Sequence, residues 1–266
     1  MENIGLIAGN GRFPFLVAEQ LRHNGDRAVI VALNEETDRD IEKLADNITW
    51  LPLGKYQKLI DFFKANNVSK VIMAGQVKHA NLFAGLSLDL RAIKLLGSLI
   101  NKKTDSILGA VADDLKKEGL ELLPSHIYLK HLLPAKGILA GPKLSSEEKK
   151  DIEFGHKLAK QIAGMDIGQT IVVKDKAVIA VESMEGTDEC IKRAASLGKE
   201  HIIVIKVAKP DQDFRFDIPV VGIKTIEVMA QSKARAIAID AGATLLIDKE
   251  RAFETAQRNG ITVIAL

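Results

Sequence analysis

The chain has 266 residues, 47% of them apolar, 27% charged and 5% aromatic, and its 37 basic and 35 acidic side chains leave a formal net charge of +2. That balance supports a sizeable aliphatic core in one large or two modest domains; it excludes a disordered chain and gives no field that would argue for nucleic acid. The single cysteine, Cys190, excludes an internal disulfide framework and a cysteine-based zinc site and points to a reducing compartment, so a cytoplasmic protein is expected. The apolar run at 4–8 is far shorter than the ~20 residues of a membrane span, so neither a signal peptide nor a span is expected. Peripheral contact with a membrane face stays open.

From the N-terminus, apolar runs at 4–8, 28–33, 48–53 and 71–74 alternate with amphipathic stretches at 13–23 and 56–66 and a short run at 41–45. Such alternation predicts a parallel sheet, and near-continuous runs such as 28–33 suit strands buried on both faces. Between 89 and 119, Leu90, Ile93, Leu96 and Ile100, then Ile107, Val111 and Leu115, recur at helical spacing, with Thr104 and Asp105 as caps for the second helix. Pro134, Gly137, Gly141, Pro142 and two serines then gather between Leu133 and Ser146. We place a hinge there, at 134–146, between an N-terminal Rossmann-like domain at 1–133 and a C-terminal mixed α/β domain at 147–266. In the latter, Ser145-Ser146-Glu147-Glu148 opens a helix running to about 163, and strands at 170–173, 178–181, 202–207, 236–239, 245–247 and 261–265 mix with helices at 187–197, 223–232 and 249–259.

Five groups of residues could carry chemistry. Gly9-Asn10-Gly11-Arg12-Phe13-Pro14 joins a strand to a helix through a glycine turn, where free amides and a positive helix end suit phosphate, although Pro14 replaces the third glycine of a dinucleotide fingerprint. Glu35 and Glu36, after the second strand, partly restore that reading. A strand delivers Glu182 to its end, and the turn beyond it presents Glu185, Gly186, Thr187 and Asp188 at a helix start. Asp211, Asp213, Arg215 and Asp217 would share one edge of an extended segment, with Gln212, Phe214 and Phe216 on the other. Three carboxylates within about 13 Å of extended chain call for relief, which Mg2+ supplies when it takes carboxylate and phosphate oxygens together. Lys206, Lys209, Lys78 and His79 could clamp a diphosphate, and the apolar segment from Leu82 to Ile100 could line an acyl groove or rest on a membrane.

Ile7-Ala8-Gly9-Asn10-Gly11-Arg12-Phe13-Pro14, Met73-Ala74-Gly75-Gln76-Val77-Lys78, Asp166-Ile167-Gly168-Gln169, the segment from Ala180 to Asp188 and that from Gln212 to Gly222 together resemble the LpxI-type UDP-2,3-diacylglucosamine pyrophosphatases of lipid A biosynthesis. The resemblance implies a two-domain, Mg2+-dependent hydrolase that cuts the UDP diphosphate to UMP and 2,3-diacylglucosamine 1-phosphate, lipid X. Carried onto this sequence, the essential aspartate falls on Asp213 or Asp217, with Asp217 the first choice. Asp213, Asp217 and Glu182 are then the expected metal ligands. Gly9, Asn10, Gly11, Gln76, Lys78, Glu185, Gly186, Thr187, Asp188, Lys206 and Arg215 are the expected substrate contacts. No nucleic-acid partner is expected; contact with the inner face of the inner membrane and a homodimer stay open. A nucleotide-dependent oxidoreductase and a non-catalytic sugar-nucleotide binder remain the alternatives, since the glycine turn serves all three.

Overall fold

The computed structural model describes residues 1–77, 88–99 and 104–266. Lys78, His79, Leu82, Phe83, Leu86, Ile100 and the capping side chains of Thr104 and Asp105 lie outside the described residues. By packing, the chain divides into two compact units, one of Met1–Leu129 with Asp213–Asp217, the other of Lys130–Gln212 with Ile218–Leu266.

The first unit is built on β1 (Asn3–Ala8), β2 (Arg27–Leu33), β3 (Asn47–Leu51), β4 (Lys70–Ala74) and β5 (Glu121–Leu122), which pair in the order β3-β2-β1-β4-β5. All of these pairings are parallel. The apolar run at 28–33 is buried throughout, as a sheet covered on both faces requires. Helix α1 (Phe13–His23) packs on β1, β2 and β4 through Pro14, Val17, Ala18 and Leu21. On the core that includes Ile7, Val29, Val31 and Val71 pack Leu59, Ile60 and Phe63 of α2 (Tyr56–Ala65) and Ala112 and Leu115 of α4 (Thr104–Lys117). Helix α3 (Leu90–Gly97) follows its cap, Asp89, whose carboxylate accepts from Ala92 N at 2.9 Å. The short run at 41–45 is a 3₁₀ helix, Arg39–Leu44.

The second unit carries a six-stranded mixed sheet in the order β6-β13-β11-β9-β7-β8, from β6 (Gly137–Ala140), β7 (Thr170–Lys174), β8 (Ala177–Val181), β9 (Ile203–Lys206), β11 (Ala236–Ile239) and β13 (Thr262–Ala265). A small parallel pair joins β10 (Val220–Val221) to β12 (Leu245–Leu246). Alternate residues face opposite sides of the sheet. Ile203 and Ile205 therefore pack with α5 (Ser146–Gly164), whereas Val204 packs with α6 (Thr187–Gly198), α7 (Ile223–Gln231) and α8 (Lys249–Arg258). The expected serine start of α5 is a capping box: Ser145 Oγ accepts from Glu148 N at 3.1 Å, and Glu148 Oε2 accepts from Ser145 N at 2.6 Å.

The segment 134–146, expected as a hinge, instead carries β6, paired antiparallel to β13. Its glycines serve an edge strand: Gly141, at φ +84°, lies so close to Ile261 that a Cβ would sit 2.0 Å from its carbonyl oxygen. Turn residues punctuate sheet edges as well as linkers, and their composition does not separate the two.

Candidate functional site

In the first unit the loops that follow the adjacent strands β1 and β4 lock together. Gly9 N donates to Ala74 O at 2.8 Å, and Asn10 and Gln76 exchange backbone hydrogen bonds of 2.7 and 3.1 Å. A Cβ on Gly9 would lie 2.7 Å from Gln76 O, and one on Gly75, at φ +93°, 2.7 Å from Asn10 O. Gly9 is thus required by loop-to-loop packing, and Gly11, at φ +96° with open space around its Cβ position, is the glycine of the turn that faces no protein atom. Beside it opens a cleft of about 590 Å3 lined by Asn10, Gly11, Arg12, Phe15 and the 34–40 loop. Asn10 Nδ2 donates to Glu36 O at 3.1 Å and Thr37 Oγ1 to Ala8 O at 2.5 Å, which ties that loop to the end of β1. Glu35, Glu36, Asp38 and Asp40 against Arg12 make the lining acidic. A diphosphate near Gly11 needs Arg12 or a cation beside it.

Residues 213–217 are not extended; they curl into a turn. Asp213 Oδ1 accepts from Arg215 N at 3.1 Å, an Asx turn, and Asp213 O accepts from Phe216 N and Asp217 N at 3.1 and 3.3 Å. The shared ionic edge expected of alternating residues is therefore absent, because a local side-chain-to-backbone bond displaces the strand conformation. Arg215 grips Asp213 through Nε at 3.0 Å and Nη2 at 2.7 Å, and that hydrogen-bonded partner holds the Asp213 carboxyl below its ordinary range. The turn is anchored within the first unit: Phe214 O accepts from Ser125 N at 2.8 Å and Oγ at 3.0 Å, its ring meets His126 edge-on, and Phe216 packs against the core beneath Arg215. Asp211 belongs to the second unit.

In the second unit three of the expected residues meet. Register sets Thr170 opposite Lys206, and Glu182, just beyond β8, donates its backbone N–H to Thr170 O at 2.8 Å. Lys206 Nζ donates to Thr187 Oγ1 at 2.7 Å, and Thr187 passes its own proton to Glu182 Oε1 at 2.8 Å. Glu182 and Lys206 are each 9% exposed. The other carboxylate oxygen, Glu182 Oε2, is buried without a hydrogen-bond partner among the described residues. Gly168 permits this arrangement, since a Cβ there would fall 2.1 Å from Glu182 O. The neighbouring thiol of Cys190 is pushed up to about 12 by burial first and then by the Glu182 charge. Glu185 and Asp188 are engaged elsewhere: Glu185 pairs with Arg193 at 2.5 Å, which lowers its pKa, and Asp188 lies 3.3 Å from Lys224. Gly186, at φ +84°, is the N-cap of α6. Thr170, Gly168 and Arg193 were not singled out as individual residues by sequence reading; the pairing of Thr170 with Lys206 appears only once strand order is known.

Among the described residues no three histidine, cysteine or acidic side chains gather as a metal centre. Glu182 fits a metal poorly, since one oxygen is taken by Thr187 and the Lys206 ammonium shares that hydroxyl. Asp213 and Asp217 share one turn, but Arg215 holds both Asp213 oxygens, so a Mg2+ there would require Arg215 to give way.

The LpxI N-terminal domain model matches residues 3–132, and the LpxI C-terminal domain model matches residues 135–264. The chain belongs to the LpxI family. A curated member, the UDP-2,3-diacylglucosamine pyrophosphatase LpxI of Caulobacter vibrioides, is 30% identical over 279 aligned residues that cover 100% of this chain and 98% of the relative. Among solved structures, a Campylobacter jejuni biotin carboxylase is 13% identical with a TM-score of 0.28, covering 73% of this chain and 42% of its own. An Anaerococcus prevotii phosphoribosylglycinamide synthetase is 12% identical with a TM-score of 0.29, covering 76% and 44%. Likenesses so slight carry no argument. Among the described residues no helix is long and apolar enough to cross a membrane.

Proposed function

We propose that this chain hydrolyses the diphosphate of UDP-2,3-diacylglucosamine to UMP and 2,3-diacylglucosamine 1-phosphate, lipid X, in a Mg2+-dependent reaction of lipid A biosynthesis in the cytoplasm, with peripheral contact at the inner face of the inner membrane. The observation that carries the reading is the family match over both halves, together with a full-length relative that bears this activity in its name. It favours hydrolysis over the oxidoreductase and binding-protein readings, which rest on the glycine turn and, for the oxidoreductase, on Glu35 and Glu36.

Cleaving a phosphoanhydride requires neutralisation of the charge at phosphorus, an oriented water and a proton acceptor. Mg2+, when bound, supplies the first. Asp217, with Asp213, is proposed as the carboxylate pair that holds it. The guanidinium of Arg215, fixed over Phe216 at 4.9 Å, gives Asp213 a partner in the absence of a cation. Arg12 and Gly11, beside the cleft of the first unit, are the proposed polar contacts to the diphosphate.

The test incubates the protein with UDP-2,3-diacylglucosamine and Mg2+ and follows UMP. Asp217→Asn is expected to lower kcat by at least about a hundredfold, as loss of a group acting in the transition state does, and EDTA to abolish turnover reversibly. No UMP from the intact protein sinks the hydrolase reading. Full activity in both Asp217→Asn and Asp213→Asn removes the turn from the site.

A further inference from the structure

Glu182 Oε2 is a carboxylate oxygen shut away from water with nothing donating to it among the described residues, which is rare for a buried polar atom. Its surroundings narrow what it can receive. Because Lys206 Nζ donates to Thr187 Oγ1, the hydroxyl proton of Thr187 is committed to Oε1 and cannot serve Oε2. Lys206 spends a second N–H on Thr170 Oγ1 at 3.4 Å, which leaves its third unassigned among the described residues. Both groups contact one threonine oxygen, at 2.7 and 2.8 Å, and no direct ion pair joins them. The cluster therefore offers one spare acceptor and one spare donor on two residues bridged by Thr187. A phosphate oxygen would answer the lysine but face the carboxylate with like charge, and a cation would answer the carboxylate but face the ammonium. A hydroxyl group, donor and acceptor at once, answers both.

We infer that Glu182 and Lys206 together read one sugar hydroxyl of the substrate, Glu182 Oε2 accepting its proton and Lys206 Nζ donating to its oxygen. The inference rests on the hydrolase reading in one respect: the nucleotide sugar proposed there brings two sources of this chemistry, the ribose and the glucosamine ring. Thr187 is the positioning residue that holds the pair apart. Sites that pair buried polar groups with a substrate hydroxyl reject analogues lacking it far more strongly than apolar pockets reject a missing methylene.

Titration calorimetry on the full chain separates the two sources. One arm compares UMP with its 2′-deoxy and 3′-deoxy forms; the other compares short-chain 2,3-diacylglucosamine 1-phosphate with its 4-deoxy and 6-deoxy forms. In one arm, removing a single hydroxyl is expected to weaken binding on the order of tenfold to a hundredfold, the range of a hydrogen bond to a charged group. Glu182→Gln, which presents an amide N–H2 in place of Oε2, is expected to erase that difference. Parent and deoxy compounds binding the wild type alike, no binding of either parent, or selectivity that survives Glu182→Gln each overturns the inference, and a buried water then satisfies Oε2. The wild-type comparison needs no variant, so misfolding of Glu182→Gln leaves the test intact. Normal UMP release without hydroxyl selectivity sinks this inference alone; selectivity without UMP release sinks the hydrolase reading alone.

Discussion

Asp240, just beyond β11 and 8% exposed, offers a quantitative check on the packing of the second unit. Its Oδ1 meets His156 Nε2 at 2.8 Å, and its Oδ2 accepts from Lys160 Nζ at 2.6 Å and from Ala208 N at 2.8 Å, which clamps α5 onto the end of the sheet. Asp240→Asn removes the charge; its remaining oxygen can stay toward Lys160 and Ala208 N while its N–H2 turns to His156 Nε2, so three charge-assisted hydrogen bonds become neutral-acceptor or reversed ones. Hydrogen bonds to charged groups are worth ~1.5–3 kcal/mol each. Lys160 is a third exposed and also bonds Ala208 O at 2.9 Å, so it recovers part of its loss. The expected destabilisation is about 3 kcal/mol, or roughly 10 °C in the midpoint of a unit of this size. Trp50 lies in β3 of the first unit and would report the wrong half, so the assay is urea unfolding read by hydrogen exchange at the amides of β9 and β11. The pH dependence follows from sign. His156 and Lys160 hold the Asp240 carboxyl below its ordinary value against the opposing effect of burial. A depressed folded-state value gives stability that is complete above the unfolded value, ~3.9, and is lost as pH falls toward the folded one. The gap between wild type and Asp240→Asn should therefore be full at pH 7 and shrink below about pH 4. A difference under ~0.5 kcal/mol at pH 7, the range of neutral surface changes, refutes the clamp.

Gly168→Ala would press a Cβ within 2.8 Å of the Glu182 carbonyl carbon, a backbone atom that no side-chain rotation can clear. We expect kcat/KM for UMP release to fall at least about tenfold, as misplacement of a positioned group does, and unchanged turnover would detach Glu182 from the site. Cys190, fully buried and pushed up to about 12, should ignore an aromatic disulfide reagent at pH 8 and react with one equivalent after unfolding in urea. Rapid reaction of the native protein would contradict the packing of α6.

The features legible in the sequence were those whose causes lie within a few residues. The apolar run at 28–33 became a buried strand, Ser145 and Glu148 formed their reciprocal cap, and the Gly9 turn followed β1. The expectation of an extended 211–217 segment failed because alternating charge does not reveal that Asp213 can capture Arg215 N and close a turn. The hinge at 134–146 misread the glycines of an edge strand.

By itself the sequence determined the α/β class, the placement of most helices and strands, and the identity of Glu182, Thr187 and Lys206 as residues of interest. Only tertiary structure decided that 213–217 leaves the second unit to bond Ser125 across 89 positions, that Asp240 meets Lys160 across 80, and that Thr170 meets Lys206 across 36. The reason is that caps and periodicity act over one or two turns of chain, whereas these partners are chosen by strand order. Strand order follows from burying whole apolar faces together, and no local pattern of residues encodes it.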